Sequence, residues 1–227
     1  MILLAAGRGE RFGEGRSKVL APLAGRPLVL HSLLRFQSHP EVHEIVLVCP
    51  PGEDLPWRQF MLRDVDAPKL RATVPGGEER QDSVRAGLEA VSAGADLLLI
   101  HDAARPLVPA RMITEVLQAA RETGAALPLL ESPDTVKQKA GARVGGTIPR
   151  QELGLAQTPQ AFQASLYREA LAAAERDRVV ATDDVALVER LDRPVAWVPG
   201  ARECLKVTTQ ADLDWLEWWL ARGEPND

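Results

Sequence analysis

The chain has 227 residues, of which 45% are hydrophobic and 26% are charged, and its formal net charge is −5. This length accommodates one large α/β domain or two small ones, and the composition is typical of a well-packed soluble protein. The acidic balance argues against a general nucleic-acid binder, so any basic site has to be local.

The amino terminus combines a strand with a loop that suits a phosphate ligand. An apolar run over residues 1–6 predicts a buried parallel strand, and a loop rich in glycine and cations follows it. Accessible backbone N–H groups with cations around them form a pocket for a polyanion such as a triphosphate. The glycines and cations of this loop are Gly7, Gly9, Gly13 and Gly15 with Arg8, Arg11, Arg16 and Lys18.

Two better-known phosphate loops are excluded by the residues at this place. The P-loop requires Gly-Lys-Ser/Thr, which the chain lacks, and Phe12 stands where the dinucleotide fingerprint requires its third glycine. The remaining string, Leu-Ala-Ala-Gly-x-Gly-x-Arg-Phe-Gly followed by a lysine, resembles the signature loop of nucleotidyltransferases. A solvated loop without a ligand is the alternative, which four glycines and four cations after a buried strand disfavour.

Strands and helices alternate along the next part of the chain. The apolar pattern predicts strands at 45–49, 70–74, 96–101 and 125–130, and helices at 28–38, 55–63, after the glycine loop 75–83, and at 110–123. Further helices are predicted at 165–176, from the capping residues 182–184 to 191, and from Thr209 onward, with strands at 194–199 and 205–207. This order predicts one α/β domain over 1–227, a three-layer Rossmann-like, mainly parallel sheet flanked by helices.

Residues 131–152 interrupt the alternation. Two short β-prone runs flank an Ala-Gly-Ala turn, which is the pattern of a β-hairpin. The faces of these runs are not apolar enough to form a core of their own. We therefore expect an arm that protrudes from the domain and packs on a partner subunit, the alternative being an exposed hairpin on a monomer.

Three loops, 7–18, 75–83 and 102–106, follow predicted strands, so we expect them to meet beyond the carboxyl ends of the sheet. Asp102 ends an apolar strand beside the phosphate loop, which suits Mg²⁺, a cation that takes one or two carboxylates plus substrate phosphates. An Asx-turn is the alternative role of Asp102. His101 is expected to be structural.

The second glycine-rich loop can read a base. Gly76 and Gly77, followed by Arg80 and Ser83, present backbone groups and a hydroxyl to a pyrimidine edge. Taken alone, two glycines before a helix are more often a simple turn.

Several motifs occur in order along essentially the whole chain. They are Ala5-Ala6-Gly7-x-Gly9-x-Arg11, Gly76-Gly77-x-x-Arg80-x-x-Ser83-Val84, His101-Asp102-Ala103-Ala104-Arg105-Pro106, Thr158-Pro159-Gln160-x-Phe162, Thr182-Asp183 and Lys206-Val207-Thr208. In this combination the chain resembles the 2-C-methyl-D-erythritol 4-phosphate cytidylyltransferase family of the non-mevalonate isoprenoid pathway. The resemblance implies that CTP and methylerythritol phosphate give CDP-methylerythritol and pyrophosphate, in a homodimer whose arms reach the neighbouring site.

The resemblance also implies roles for individual residues. Arg11, Lys18 and Lys206 would hold the triphosphate and stabilise charge at the α-phosphorus, and Asp102 would bind Mg²⁺. The nucleotide site would comprise Ala5, Ala6, Gly7, Gly9, Gly77, Arg80, Ser83, Ala104 and Arg105. Methylerythritol phosphate would meet Thr135, Arg150, Thr158 and Thr182, of which Thr135 and Arg150 would serve the partner's site. The family often has asparagine where this chain has Cys204.

Two other functions stay open at this point. The segment from Ser17 to Pro27 also resembles sugar-1-phosphate nucleotidyltransferases, which make nucleotide sugars. A catalytically inactive nucleotide sensor is the second alternative, although an inactive protein need not keep Arg11, Lys18, Asp102 and Lys206 together. The two cysteines form no metal motif, and without a signal peptide or a long apolar run we expect a cytoplasmic location.

Overall fold

The computed structural model of the chain describes residues 1–7 and 17–223. Its strands are β1 (Ile2–Leu4), β2 (Pro22–Leu23), β3 (Arg26–Pro27), β4 (Ile45–Cys49), β5 (Leu70–Pro75), β6 (Leu97–Asp102), β7 (Ala125–Leu130), β8 (Val136–Ala140), β9 (Arg143–Ile148), β10 (Leu155–Ala156), β11 (Gln160–Gln163) and β12 (Ala196–Pro199). Its α-helices are α1 (Leu28–Ser38), α2 (Asp54–Asp64), α3 (Arg80–Ala90), α4 (Ala110–Thr123), α5 (Ala164–Asp177), α6 (Val185–Glu189) and α7 (Gln210–Ala221). Short 3₁₀ turns lie at Lys18–Leu20 and Arg150–Glu152.

An eight-stranded sheet forms the centre. Seven of its strands follow the order β10, β7, β11, β6, β1, β4, β5, and the eighth, β12, also pairs with β7. The pairs β1–β4, β1–β6, β4–β5 and β7–β12 are parallel, whereas β10 and β11 run antiparallel to their neighbours. The mainly parallel sheet predicted from the βα alternation is therefore confirmed.

Alternate residues of the central strands bury themselves under different helices. Leu3, Leu47 and Cys49 pack in a core with α1, α2 and α4, while Ile2 and Val48 pack with α3, α5 and α6. Successive strand side chains point to opposite faces, so a run that is apolar throughout requires cover on both sides. The result is the expected three-layer arrangement, with Cys49 as a buried core thiol.

Two strand predictions need correction. β11 inserts between β6 and β7, although its sequence indicated no strand, because four residues are too few to show a period. The predicted strand at 205–207 is absent, and this segment is irregular. Val207 is nevertheless fully buried, because it packs under α7 and its N–H donates to the Ala104 carbonyl (2.8 Å).

The last helix begins with a capping box. The Thr209 hydroxyl accepts from the Asp212 N–H (3.3 Å), and the Asp212 carboxylate accepts from the Thr209 N–H (2.7 Å). Leu213 and Leu216 are buried. Trp219, which the helical period places on the same buried stripe, is only partly covered and stacks on Trp215.

The hairpin prediction is also confirmed. β8 and β9 pair antiparallel with each other in a sheet of their own, and most of their side chains are exposed. Val144, an apolar residue of β9, is 70% exposed.

Candidate active site

Three loops leave the same edge of the sheet. Leu4 of β1 lies opposite Val48 of β4 on one side and Asp102 of β6 on the other, and Cys49 of β4 lies opposite Pro75 of β5. The carboxyl ends of these parallel strands are thus aligned at the edge where α/β sheets bind ligands, as expected. Residues 8–16 of the first loop lie outside the described residues.

The second glycine loop closes directly against Ala6, the residue that precedes the first loop. A Cβ placed on Gly76 would lie 2.5 Å from the Ala6 Cβ and 2.7 Å from the Ser83 Oγ, so the three residues are in tight contact. The Ser83 hydroxyl accepts a hydrogen bond from the Gly77 N–H (3.1 Å) and donates to the Glu79 carbonyl (3.3 Å). Ala6, Gly77 and Ser83, all predicted nucleotide ligands, therefore come together in space.

Asp102 ends β6 between two cations. The Lys206 Nζ donates to its Oδ2 at 2.6 Å, and the Arg80 Nε lies 3.5 Å from its Oδ1. Burial by itself would raise the pKa of Asp102, but attraction by Lys206 and then by Arg80 holds that pKa well below its ordinary value. Asp102 is therefore a carboxylate at any physiological pH.

The same geometry tests the expected metal. Among the described residues, no three His, Cys, Asp or Glu side chains group to hold an ion, so a metal at Asp102 needs ligands from substrate or water. Magnesium bound through one carboxylate and substrate phosphates has that ligand set. The donor set at Asp102 is compatible with Mg²⁺ held in this mode, and such an ion would have to compete with Lys206 for the carboxylate.

A buried carboxylate that sequence reasoning missed lies behind Arg80. Asp184 accepts from the Arg80 Nη2 at 2.6 Å and from the Tyr167 hydroxyl at 2.8 Å. The sequence pattern assigns Asp184 only to the cap of the following helix, but its neighbour Asp183 accepts from the Ala186 N–H there (3.1 Å). The adjacent pair of aspartates is the available signal, since one residue is enough for the cap.

The Thr158 side chain links the backbone of Asp102 to the ring of His101. The Thr158 Oγ1 accepts from the Asp102 N–H (3.1 Å) and bonds the His101 Nδ1 (3.0 Å), while the His101 Nε2 bonds the Arg105 carbonyl (3.0 Å). Burial lowers the pKa of His101 to about 4, so the ring is neutral near pH 7. A carbonyl can only accept, so Nε2 carries the proton and Thr158 donates to Nδ1. His101 is structural as predicted, and substrate contact by the Thr158 hydroxyl would require it to exchange partners.

Arg105 joins three segments of the site wall. Its guanidinium donates to the Cys204 carbonyl (2.8 Å) and the Ala156 carbonyl (3.4 Å). Cys204 is fully buried, its thiol contacts the Thr158 carbonyl (3.2 Å), and burial raises the pKa of that thiol to about 12. Cys204 thus has no thiolate character at neutral pH and packs as part of the wall.

The remaining predicted site residues differ in burial and in their distance along the chain from the strand ends. Ala5 is buried at the end of β1, and Gly7 is exposed where the first loop begins. Lys18 opens a 3₁₀ turn whose next residue, Val19, is buried in the same core cluster as Ala5 and Ala104. Thr182, Thr135 and Arg150 are exposed, the last two beside the hairpin. Gly9 and Arg11 lie outside the described residues.

A three-layer α/β sheet whose strand ends combine a glycine-rich loop with a cation-paired carboxylate defines a nucleotidyltransferase of the Rossmann-like type. The family model described as "IspD: 2-C-methyl-D-erythritol 4-phosphate cytidylyltransferase" matches residues 1–222. The chain belongs to this family and is a cytidylyltransferase. Throughout residues 1–7 and 17–223, no helix is both long enough and apolar enough to cross a bilayer.

Individual relatives agree with the family match. The protein of that name from Geobacillus kaustophilus is 42% identical over 220 residues, which cover 97% of this chain and 96% of the relative. A bifunctional enzyme IspD/IspF from Desulforudis audaxviator is 44% identical over 98% of this chain but only 56% of its own length. The crystal structure of the cytidylyltransferase from Thermus thermophilus superposes with a TM-score of 0.79 at 36% identity over 98% of both chains. The 4-diphosphocytidyl-2C-methyl-D-erythritol synthase from Anaerococcus prevotii superposes with a TM-score of 0.85 at 29% identity over 97% of both chains.

Proposed function

We propose that the enzyme transfers the cytidylyl group of CTP to 2-C-methyl-D-erythritol 4-phosphate at the cluster around Asp102, in non-mevalonate isoprenoid precursor synthesis. Family membership supports the reaction and both substrates. One observation supports the location above all others: Lys206 contacts Asp102 at 2.6 Å across 104 residues of sequence. A cation and a carboxylate from distant parts of the chain thus meet at the loop edge of the sheet.

The chemistry requires positioning and charge more than proton transfer. An oxygen of the substrate phosphate attacks the α-phosphorus of CTP in line, and the bond to the β-phosphate breaks, so pyrophosphate leaves with the electron pair. A phosphomonoester has its second pKa near 6, so the nucleophile is an anion near neutral pH and needs no strong general base. Preorganised cations that offset charge at the transition state are then the main contribution of the protein.

Lys206 is placed so that its ammonium group can move from Asp102 to the phosphates of the nucleotide. Its side chain is 40% exposed and is held at the site by Asp102, from which an incoming triphosphate can attract it. Lys18 and Arg11, whose contacts with nucleotide are carried over from the family, would bind the same triphosphate. Asp102, released from Lys206, would hold Mg²⁺, which when bound supplies further positive charge to the substrate phosphates.

The oligomer and the substrate-facing residues are part of this proposal. The exposed hairpin, with Val144 uncovered, supports a homodimer in which Thr135 and Arg150 serve the neighbouring site. Thr158 and Thr182 would complete the methylerythritol phosphate pocket, and the cytoplasmic location stays a prediction. Light scattering at micromolar concentration tests the dimer, and a mass of 24.7 kDa at all concentrations would contradict it.

The reaction itself is tested by pyrophosphate release from a panel of nucleoside triphosphates and acceptors. We expect turnover with CTP and methylerythritol phosphate, and its loss when EDTA removes divalent metal. Preference for UTP or dTTP with a sugar 1-phosphate would contradict the substrate assignment. Nucleotide binding without pyrophosphate release would indicate a sensor rather than an enzyme, and full activity in EDTA would reject the metal.

A further inference from the structure

Asp184 is a buried carboxylate that the proposed chemistry does not use. Its side chain is 2% exposed, and its oxygens accept hydrogen bonds from Tyr167 at Oδ1 (2.8 Å) and from Arg80 at Oδ2 (2.6 Å). The Asp184 N–H in turn donates to the Gln160 Oε1 (3.1 Å), which also accepts from the Val185 N–H (3.1 Å). The carboxylate is therefore held by α3 and α5, while β11 holds the backbone of the same residue.

The tyrosine that contacts Asp184 is itself part of the core. Tyr167 is fully buried, and its ring lies 4.7 Å from the Phe162 ring between centroids. A buried carboxylate is costly unless it has a charged or strong hydrogen-bonding partner, and Arg80 is the cation that meets this need. Arg80 and Asp184 are 104 residues apart in sequence, so the tertiary fold alone brings them together.

The two carboxylates around Arg80 hold it unequally. Its Nη2 is 2.6 Å from Asp184, whereas its Nε is 3.5 Å from Asp102. The shorter, more buried contact orients the planar guanidinium, because the fork of an arginine fixes direction as well as charge. Lys206, by contrast, reaches Asp102 with a more exposed side chain.

We propose that Asp184, supported by Tyr167, is a positioning residue that fixes the Arg80 guanidinium beside Asp102 before the nucleotide binds. In this arrangement Arg80 stays in place while Lys206 exchanges Asp102 for phosphate. This role rests on the proposed function, since the ligand that Arg80 would bind is the nucleotide. A preorganised cation strengthens binding because the cost of ordering it has already been met in the free protein.

A double-mutant cycle separates positioning from a merely structural role. Asp184→Asn and Arg80→Gln should each weaken CTP binding about tenfold, as measured by calorimetry, and raise KM for CTP with kcat changed less than about threefold. The double variant should be no weaker than Arg80→Gln, because Asp184 acts only through Arg80. Losses that multiply to about a hundredfold, or an Asp184→Asn protein with unchanged affinity, would overturn the proposal.

Two further variants complete the design. Tyr167→Phe removes one donor and keeps the ring, so it should weaken CTP binding about threefold in the natural background and not at all beside Arg80→Gln. If Asp184→Asn does not fold, the proposal is tested instead by comparing the effect of Tyr167→Phe in the natural protein with its effect in the Arg80→Gln protein. Glu44→Gln, which alters a carboxylate bonded to Ser92 at the opposite edge of the sheet, is the matched control and should leave KM for CTP unchanged. A natural protein that binds no CTP would reject the proposed function and this role together, whereas normal turnover with multiplying losses would reject this role alone.

Discussion

Replacing Gly76 with alanine would place one methyl group where the second glycine-rich loop touches Ala6. The added Cβ would lie 2.5 Å from the Ala6 Cβ and 2.7 Å from the Ser83 Oγ, with the Cys49 carbonyl oxygen at 3.4 Å. Carbon atoms in proteins pack at about 3.5–4.0 Å, so Ala6 would have to recede by about 1 Å. The Ala6 Cβ, which follows β1, cannot recede without its backbone. The Ser83 Oγ can turn away by rotation about χ1, but it would then lose its bond to the Gly77 N–H.

The cost follows from this overlap. An extra methyl group in a packed site typically destabilises a protein by about 1–3 kcal/mol, and the clash with two constrained neighbours favours the middle of that range. For a chain of this length, about 2 kcal/mol corresponds to a fall in melting temperature of roughly 4–8 °C. The same displacement moves the Ser83 hydroxyl and its Gly77 N–H partner, so we expect KM for CTP to rise about tenfold or more.

Thermal unfolding and pyrophosphate-release kinetics test both expectations. Gly94→Ala is the matched control, because a Cβ at Gly94 has no atom within 4 Å and its melting temperature should change by no more than about 2 °C. A Gly76→Ala protein as stable as that control, with an unaltered KM for CTP, would refute the idea that Ala6 and the second glycine loop form one rigid base pocket.

Three further predictions concern charge, pH and capping. Lys206→Met and Lys18→Ala should each lower kcat/KM by roughly 10²–10³-fold while the circular dichroism spectrum is retained; Lys69→Met, whose Nζ bonds the His39 carbonyl, should change it less than about twofold. The pKa of folded His101 is about 4 and that of the unfolded residue about 6.5, so between these values only the unfolded chain binds the proton and stability falls as pH falls. Denaturant unfolding should show the free energy of unfolding fall by about 2 kcal/mol from pH 7 to pH 5. A His101→Gln protein with the same dependence on pH would show that His101 is not its cause. Asp212→Ala removes the carboxylate that accepts from the Thr209 N–H and should cost about 1 kcal/mol, whereas an unchanged unfolding midpoint would show that the capping box adds nothing.

Local patterns in the sequence were sufficient for most of the scaffold. The apolar run of β4, the hairpin turn around Gly141 and the Thr209 capping box were all predictable, since each depends on residues within a few positions of one another. The common edge at which β1, β5 and β6 end was also predictable, because parallel strands align their carboxyl ends. The resemblance to a family then assigned roles to residues that no local pattern distinguishes.

Tertiary structure alone decided the partners of the charged groups around Asp102. Nothing in the order of residues indicates that Arg80 pairs with Asp184, that Thr158 supports both Asp102 and His101, or that β11 separates β6 from β7. The contacts of Arg80 alone join positions from 22 to 104 residues apart, and their energies depend on burial, which is a property of the assembled layers. Local propensity specifies where a strand or helix begins, whereas the electrostatics of the site exist only after the sheet has brought its loops together and excluded water from between them.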